Sequence, residues 1–376
     1  MQILKSINIV LEKATVFGDL IIEDNKIKHV IKKGDFRQGT DILIPGFIDI
    51  HIHGGYSYDA MDGTREAVEG LATNLVKEGT TSFLATTMTQ SNANITKALT
   101  AIGEYYLDQN VNASRLLGAH LEGPYVNKKA AGAQPREYIK NPDISEFHQW
   151  NEASGNIIKK VSLAPENDQN FEFIRYLKEN SIIPSIAHTT ASYQTAAKAI
   201  EAGASSFTHT FNAMTPLHHR DVGVVGAALL HRNVVSEFIG DKVHLSLEAM
   251  KLLIKNKTYL NVILITDSMR NKGLKEGISE LGGQTVYIKG NEARLKDGTL
   301  AGSILKMIDG YRILINDLKL PFYKASHIAS LNPAKSLSLE TKLGSIKEGK
   351  DADLVLLSPD LEIKKTFVNG KLVYQN

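Results

Sequence analysis

The chain has 376 residues, 43% of them hydrophobic and 22% charged, which suits a soluble globular protein with one large and one smaller domain and excludes a disordered or fibrous chain. Lys and Arg number 43 against 41 Asp and Glu, a formal charge of +2, so there is no broad basic field and neither nucleic acid nor membrane is expected as a partner. With no cysteine and 12 histidines, disulfides, thiolate catalysis and cysteine-held metals are excluded, and any metal must be held by nitrogen and oxygen.

Met1 to Val10 carry a lone Lys5 and lack the apolar core of a secretory signal, which points to the cytoplasm. Residues 1–46 alternate in short bursts, 19–23 and 26–31, about the turn-forming Asp24-Asn25, which is strand and hairpin patterning. The other end behaves alike over 353–357, 363–368 and 371–374, with Asn369-Gly370 as a hairpin turn. Neither end has strands enough for a sheet of its own. Residues 1–46 and 343–376 are therefore expected to form one small discontinuous β-sandwich domain, interrupted by residues 47–342.

Within the interruption, β-branched apolar runs at about 47–52, 81–87, 115–121, 157–163, 182–187, 205–208, 234–239 and 260–266 read as eight buried parallel strands. Helix-compatible stretches at 64–78, 94–108, 168–180, 193–202 and 246–255 separate several of them. Eight β/α units over roughly 250 residues match a (β/α)8 TIM-like barrel, and no Gly-x-Gly-x-x-Gly follows the first strand to favour an open sheet. The longest uncharged apolar run, 222–230, is far short of the roughly 20 residues that span a bilayer. After the eighth strand, residues 282–300 read as an inserted hairpin.

Barrels of this kind carry their chemistry at the C-terminal ends of the strands, and metal-ligand types fall there. His51 and His53 end strand 1 on the same side of it; Glu122, His188, His209 and Asp267 end strands 3, 5, 6 and 8. Singly, each has a structural explanation: a histidine in a core, Glu122 or Asp267 as a cap. Their joint placement points to a metal site. His120 is expected on the opposite side of its strand from Glu122, and Arg270 on the surface. Leu217 to Asp221, which includes Arg220, is a local cationic cluster in a balanced chain.

Residues 45–54, Pro-Gly-Phe-Ile-Asp-Ile-His-Ile-His-Gly, resemble the opening metal motif of the amidohydrolase superfamily. In order along the chain, 120–124 (His-Leu-Glu-Gly-Pro), 208–214 (Thr-His-Thr-Phe-Asn-Ala-Met), 265–267 and 300–303 resemble the branch that deacetylates N-acetylhexosamine 6-phosphates, and the likeness continues to 344–353. The resemblance implies Glu122, His188 and His209 as common metal ligands, and His51 and His53 as the extra pair of members that hold a second ion. One or two divalent ions per subunit are implied, zinc, iron or manganese, with Asp267 as ligand and catalytic acid/base. It also implies sugar or phosphate contacts by Asn212 and Ala213, and a phosphate grip by Arg220 and His244 that comes partly from the second subunit of a homodimer. Gln134 stands where some members have a histidine near the sugar.

The implied reaction is hydrolysis of the acetamide of N-acetyl-D-glucosamine 6-phosphate to D-glucosamine 6-phosphate and acetate. Such an amide needs a polarised carbonyl, hydroxide at neutral pH and a proton for the departing amine. The galactosamine epimer is the alternative substrate. A cyclic-amide hydrolase of the dihydroorotase type would end strand 4 in a lysine, where this chain has Ser162-Leu163-Ala164-Pro165. A rival from another class, a non-catalytic scaffold that keeps the barrel, should have lost ligands, and none is missing.

Overall fold

The computed structural model describes all 376 residues, Met1–Asn376. Four strands open the chain: β1 (Gln2–Val10), β2 (Thr15–Glu23), β3 (Lys26–Asp35) and β4 (Ile42–Pro45). Eight parallel strands follow: β5 (Phe47–Ile52), β6 (Thr80–Thr87), β7 (Arg115–Glu122), β8 (Ile158–Leu163), β9 (Ile183–Ile186), β10 (Ser206–Phe207), β11 (Val235–Ile239) and β12 (Val262–Ile265). They pair in chain order, and the ring closes between the first and the last. The Asp267 amide donates to His51 O at 2.8 Å, and buried Asp49 accepts from Thr266 N (3.3 Å) and Thr266 Oγ1 (2.5 Å). This is the expected (β/α)8 barrel. Its strands begin and end within two residues of the apolar runs, because a strand buried on both faces has to be apolar throughout.

Helices α1 (Arg65–Leu75), α2 (Asn92–Leu107), α3 (Ile144–Ala153), α4 (Glu172–Glu179), α5 (Tyr193–Ala202), α6 (Gly223–Leu230), α7 (Leu247–Lys257) and α8 (Met307–Asn316) return the chain between and after the strands. Thr64, Ser91, Asp143, Ser192 and Ser246 each accept a first-turn backbone N–H at a helix start, worth about 1 kcal/mol apiece. α6 is buried nearly all round, so it has no polar face to give it a helical period. The longer helices leave no segment apolar and long enough to cross a membrane.

Between β12 and α8 the chain inserts a three-stranded antiparallel sheet, β13 (Gly277–Leu281), β14 (Gln284–Lys289) and β15 (Glu292–Leu295). The expected hairpin is its last two strands. The final strands, β16 (Leu354–Leu357), β17 (Ile363–Val368) and β18 (Lys371–Gln375), join the first four in one seven-stranded sheet ordered β18-β17-β16-β4-β1-β2-β3. Ile9, Leu20, Ile27, Leu43, Leu354 and Phe367 form its core. The sheet is tied to the start of β7 by Arg115, which reaches Asp351 (3.0 Å) and Asp353 (3.2 Å). Burial pushes the Asp353 carboxyl up to about 6 against the pull of Arg115.

Candidate active site

At the C-terminal rim of the barrel the strands end in the six ligand-type side chains, all buried. His51 lies in β5 and His53 one residue past it, Glu122 closes β7, and His188, His209 and Asp267 each stand two residues beyond their strand. Those last three adopt positive φ, 44°, 31° and 49°, a conformation that costs a non-glycine residue about 1–3 kcal/mol. The sharp turn carries the backbone away at the rim. Gly123, after Glu122, has φ 71°, and a Cβ there would stand 2.0 Å from Thr89 Oγ1, so the turn following Glu122 admits only glycine.

Two clusters result. Glu122 Oε1 lies 3.6 Å from His188 Nε2 and 3.3 Å from His209 Nε2, and the two Nε2 atoms are 3.1 Å apart. Asp267 Oδ1 lies 3.3 Å from His51 Nε2 and 3.2 Å from His53 Nε2. Glu122 joins the two, with Oε1 3.4 Å from His51 Nε2 and Oε2 3.2 Å from His53 Nε2. Four ligands about 2.0–2.1 Å from a central ion stand roughly 3.3–3.4 Å from one another along the edges of a tetrahedron, the spacing seen in both clusters. Glu122 Oε1, His51 Nε2, His51 Nδ1 and His209 Nδ1 are buried without a hydrogen-bond partner, a costly arrangement unless something binds there. The donors present therefore fit one or two divalent cations, and nitrogen and carboxylate donors suit zinc, iron or manganese.

The electrostatics agree. Burial opposes every charge here, yet the Asp267 and Glu122 carboxylates raise His51 to about 9 and lift His53 well above the ordinary imidazole range. In turn His51, His188 and His209 hold Glu122 well below the carboxylate range, and His51 and His53 bring Asp267 down to about 2. The two carboxylates attract positive charge to the centre.

A cavity of about 520 Å³ opens over the cluster, within the roughly 300–1,000 Å³ of small-molecule sites. Gln134, Asn212, Ala213 and His244 all line it. Gln134 is 4% exposed, and both ends of its amide are engaged: Nε2 donates to Glu122 Oε2 at 2.8 Å and Oε1 accepts from Thr89 N at 2.9 Å. It thus holds a candidate ligand as well as facing the cavity. His244 Nδ1 is 2.6 Å from Asp241 Oδ2, which sets its ring. Arg220 is exposed, lies outside the cavity lining and donates its Nη1–H to His219 Nε2 at 2.7 Å, so within one chain it does not reach the site.

Two expectations are corrected. His120 faces the barrel interior on the same side as Glu122, because residues two apart share a strand face; it is fully buried, with its ring 4.6 Å from that of His51. Arg270 is no free surface residue: it bridges Asp62 (2.9 Å) and Glu280 (3.1 Å), tying the inserted sheet to the loop before α1. Lys129 and Arg294, which are not among the expected site residues, also line the cavity. The signal for Arg294 was available, since an insert after the last barrel strand emerges on the catalytic rim.

The amidohydrolase family pattern matches residues 42–373. The N-acetylglucosamine-6-phosphate deacetylase of Bacillus subtilis (strain 168) is 44% identical over 383 aligned positions, 99% of this chain and 97% of its own length. The crystal structure of N-acetylglucosamine-6-phosphate deacetylase from Thermotoga maritima superposes with a TM-score of 0.92 at 35% identity, covering all of both chains. A mutant of the Mycobacterium smegmatis N-acetyl-D-glucosamine-6-phosphate deacetylase, in complex with N-acetyl-D-glucosamine-6-phosphate, superposes with a TM-score of 0.93 at 25% identity, covering 100% of this chain and 99% of the other. Barrel, rim cluster and end-to-end similarity agree: the chain belongs to the amidohydrolase family.

Proposed function

We propose that the chain is a metal-dependent deacetylase that hydrolyses N-acetyl-D-glucosamine 6-phosphate to D-glucosamine 6-phosphate and acetate. The observation that carries the reading is the set of six buried ligand-type side chains, spaced 3.1–3.6 Å at the floor of a cavity and containing unpartnered nitrogen and oxygen atoms. The extent of similarity to deacetylases of this substrate supports it. His188, His209 and Glu122 would hold one ion, and His51, His53 and Asp267 a second, with Glu122 between them. A bound dication supplies a Lewis acid for the acetamide carbonyl and lowers the pKa of water at the site.

The remaining steps belong to the chain. Asp267, ionised at neutral pH and buried against the cluster, takes a proton from the attacking water. It then delivers that proton to the amide nitrogen as the C–N bond breaks, so that acetate and a free amine leave. Gln134 keeps Glu122 in place, and Asn212 and Ala213 contact the sugar. His244, oriented by Asp241, meets the phosphate. Arg220 of a second copy completes the phosphate grip, which accounts for its exposed position and makes the working unit a homodimer. A phosphorylated sugar is too polar to cross a bilayer unaided, so the enzyme shares a compartment with its substrate, which we take to be the cytoplasm. Removing metal with a chelator should abolish acetate release, and restoring zinc, iron(II) or manganese should recover it. Full activity in metal-free protein would overturn the reading.

A further inference from the structure

Below the candidate metal centre the barrel interior holds an ion pair that the hydrolysis above leaves without a task. Lys160 on β8 and Glu237 on β11 are both fully buried, and Nζ of one is bonded to Oε1 of the other. Such a pair adds little stability, because the cost of desolvating two charges offsets their attraction, and apolar side chains of similar volume serve as well. What the pair does accomplish is to fix the Glu237 carboxylate with its second oxygen facing the site. That oxygen, Oε2, is buried without a hydrogen-bond partner and stands 3.6 Å from His51 Nδ1, which is also buried and unpartnered. A closure of about half an ångström brings the two within hydrogen-bond range.

Two of the three other ligand-type histidines show a pattern, while His209 leaves its Nδ1 buried and unpartnered. His53 Nδ1 faces Thr86 O at 3.3 Å and His188 Nδ1 faces Ala130 O at 2.9 Å, while their Nε2 atoms point to the carboxylates. In each, a backbone carbonyl behind the ring sets its rotation. Behind His51 stands Glu237. His120, the other polar neighbour, is engaged by Ser162 Oγ at 2.7 Å and by Thr86 Oγ1 at 3.4 Å. A charged acceptor behind a ligating imidazole both orients the ring and raises its basicity.

We infer that Glu237, held by Lys160, is the positioning residue of His51: its Oε2 accepts the Nδ1–H and directs the Nε2 lone pair to the ion shared with His53 and Asp267. The inference rests on the metal reading above. It is tested on the full-length protein by zinc titration against a competing chelator, with two double variants that leave no buried charge unpaired. K160M with E237M removes the acceptor and should weaken zinc binding at one site roughly 10- to 100-fold, without lowering the melting temperature. K160M with E237Q keeps an uncharged acceptor and should recover most of that loss. In the zinc-loaded wild type, spectra of 15N-histidine protein should show the His51 ring protonated at Nδ1, which needs no variant of the pair. A methionine pair that keeps the zinc content and affinity of the wild type, a glutamine version as weak as the methionine pair, or a His51 bound to zinc through Nδ1 each overturns the inference. Wild-type protein that takes up no stoichiometric zinc overturns the metal reading itself, and the inference with it.

Discussion

Replacing Asp267 by Asn removes a buried carboxylate that serves as base and as one candidate metal ligand, and leaves the backbone as it is. Asn has the same shape and is among the residues most at ease at positive φ, so the 49° at this position is kept. The backbone bonds that close the barrel here, Asp267 N–H to His51 O and Ser303 N–H to Asp267 O, both 2.8 Å, do not involve the side chain. With its pKa brought down to about 2 by the surrounding histidines, the native carboxyl is ionised at pH 7 and free to take up a proton. Practically the whole population is competent as a base. An amide cannot take up the proton, and loss of a positioned general base costs about 10²- to 10⁴-fold, or roughly 3–5 kcal/mol in the barrier. Acetate release by zinc-saturated protein should therefore fall at least about 100-fold in kcat, with a small change in KM and a melting temperature within a few degrees of the wild type. A variant that keeps more than about a tenth of the wild-type kcat, well short of the loss expected for a general base, would remove Asp267 from the proton transfer.

Arg220→Ala should raise KM for the phosphorylated sugar at least about tenfold, the loss of a charge-assisted contact, and leave KM for unphosphorylated N-acetylglucosamine unchanged; equal effects on both would sink the phosphate assignment. Gln134→Leu leaves Glu122 Oε2 and the buried Thr89 N–H without their partner, which should lower stability by about 2–4 kcal/mol in denaturant melts and weaken metal binding; an unchanged midpoint counts against the contact. Asp353 supplies the pH dependence. Its folded pKa of about 6 lies above the ordinary 3.8, so its contribution is fully present below pH 4 and is lost as pH rises through 6, on the order of 2–3 kcal/mol. Asp353→Asn should therefore gain stability relative to the wild type between pH 4 and pH 7, and a difference that stays flat across that window refutes the assignment.

The barrel was legible because its strands are buried on both faces and so read as apolar runs ending in His51, Glu122, His188, His209 and Asp267. Local patterning says less where burial is uniform or exposure complete. α6 is apolar all round, so it offers no period to read. β13 presents exposed Gly277 and Ile278, and without a buried face only the strands after Gly282 stood out as an insert. The terminal strands were legible as strands, but their order depends on contacts hundreds of residues apart, such as β4 between β1 and β16. Lys160 and Glu237 carried a signal that periodicity could have used. Each is a charge inside a buried strand, and Lys160 stands two residues before Ser162, on the face that also carries the rim chemistry. The same two-residue period puts His120 on the face of Glu122, against the expectation of opposite sides.

Deacetylation is tested most directly by acetate release from purified, metal-replete protein with N-acetyl-D-glucosamine 6-phosphate and its galactosamine epimer side by side. One acetate and one free amine are expected per substrate consumed, with kcat/KM higher for the glucosamine 6-phosphate. No acetate from either sugar would contradict this reading and leave the barrel as a scaffold, while a preference for the epimer would keep the chemistry and overturn the substrate.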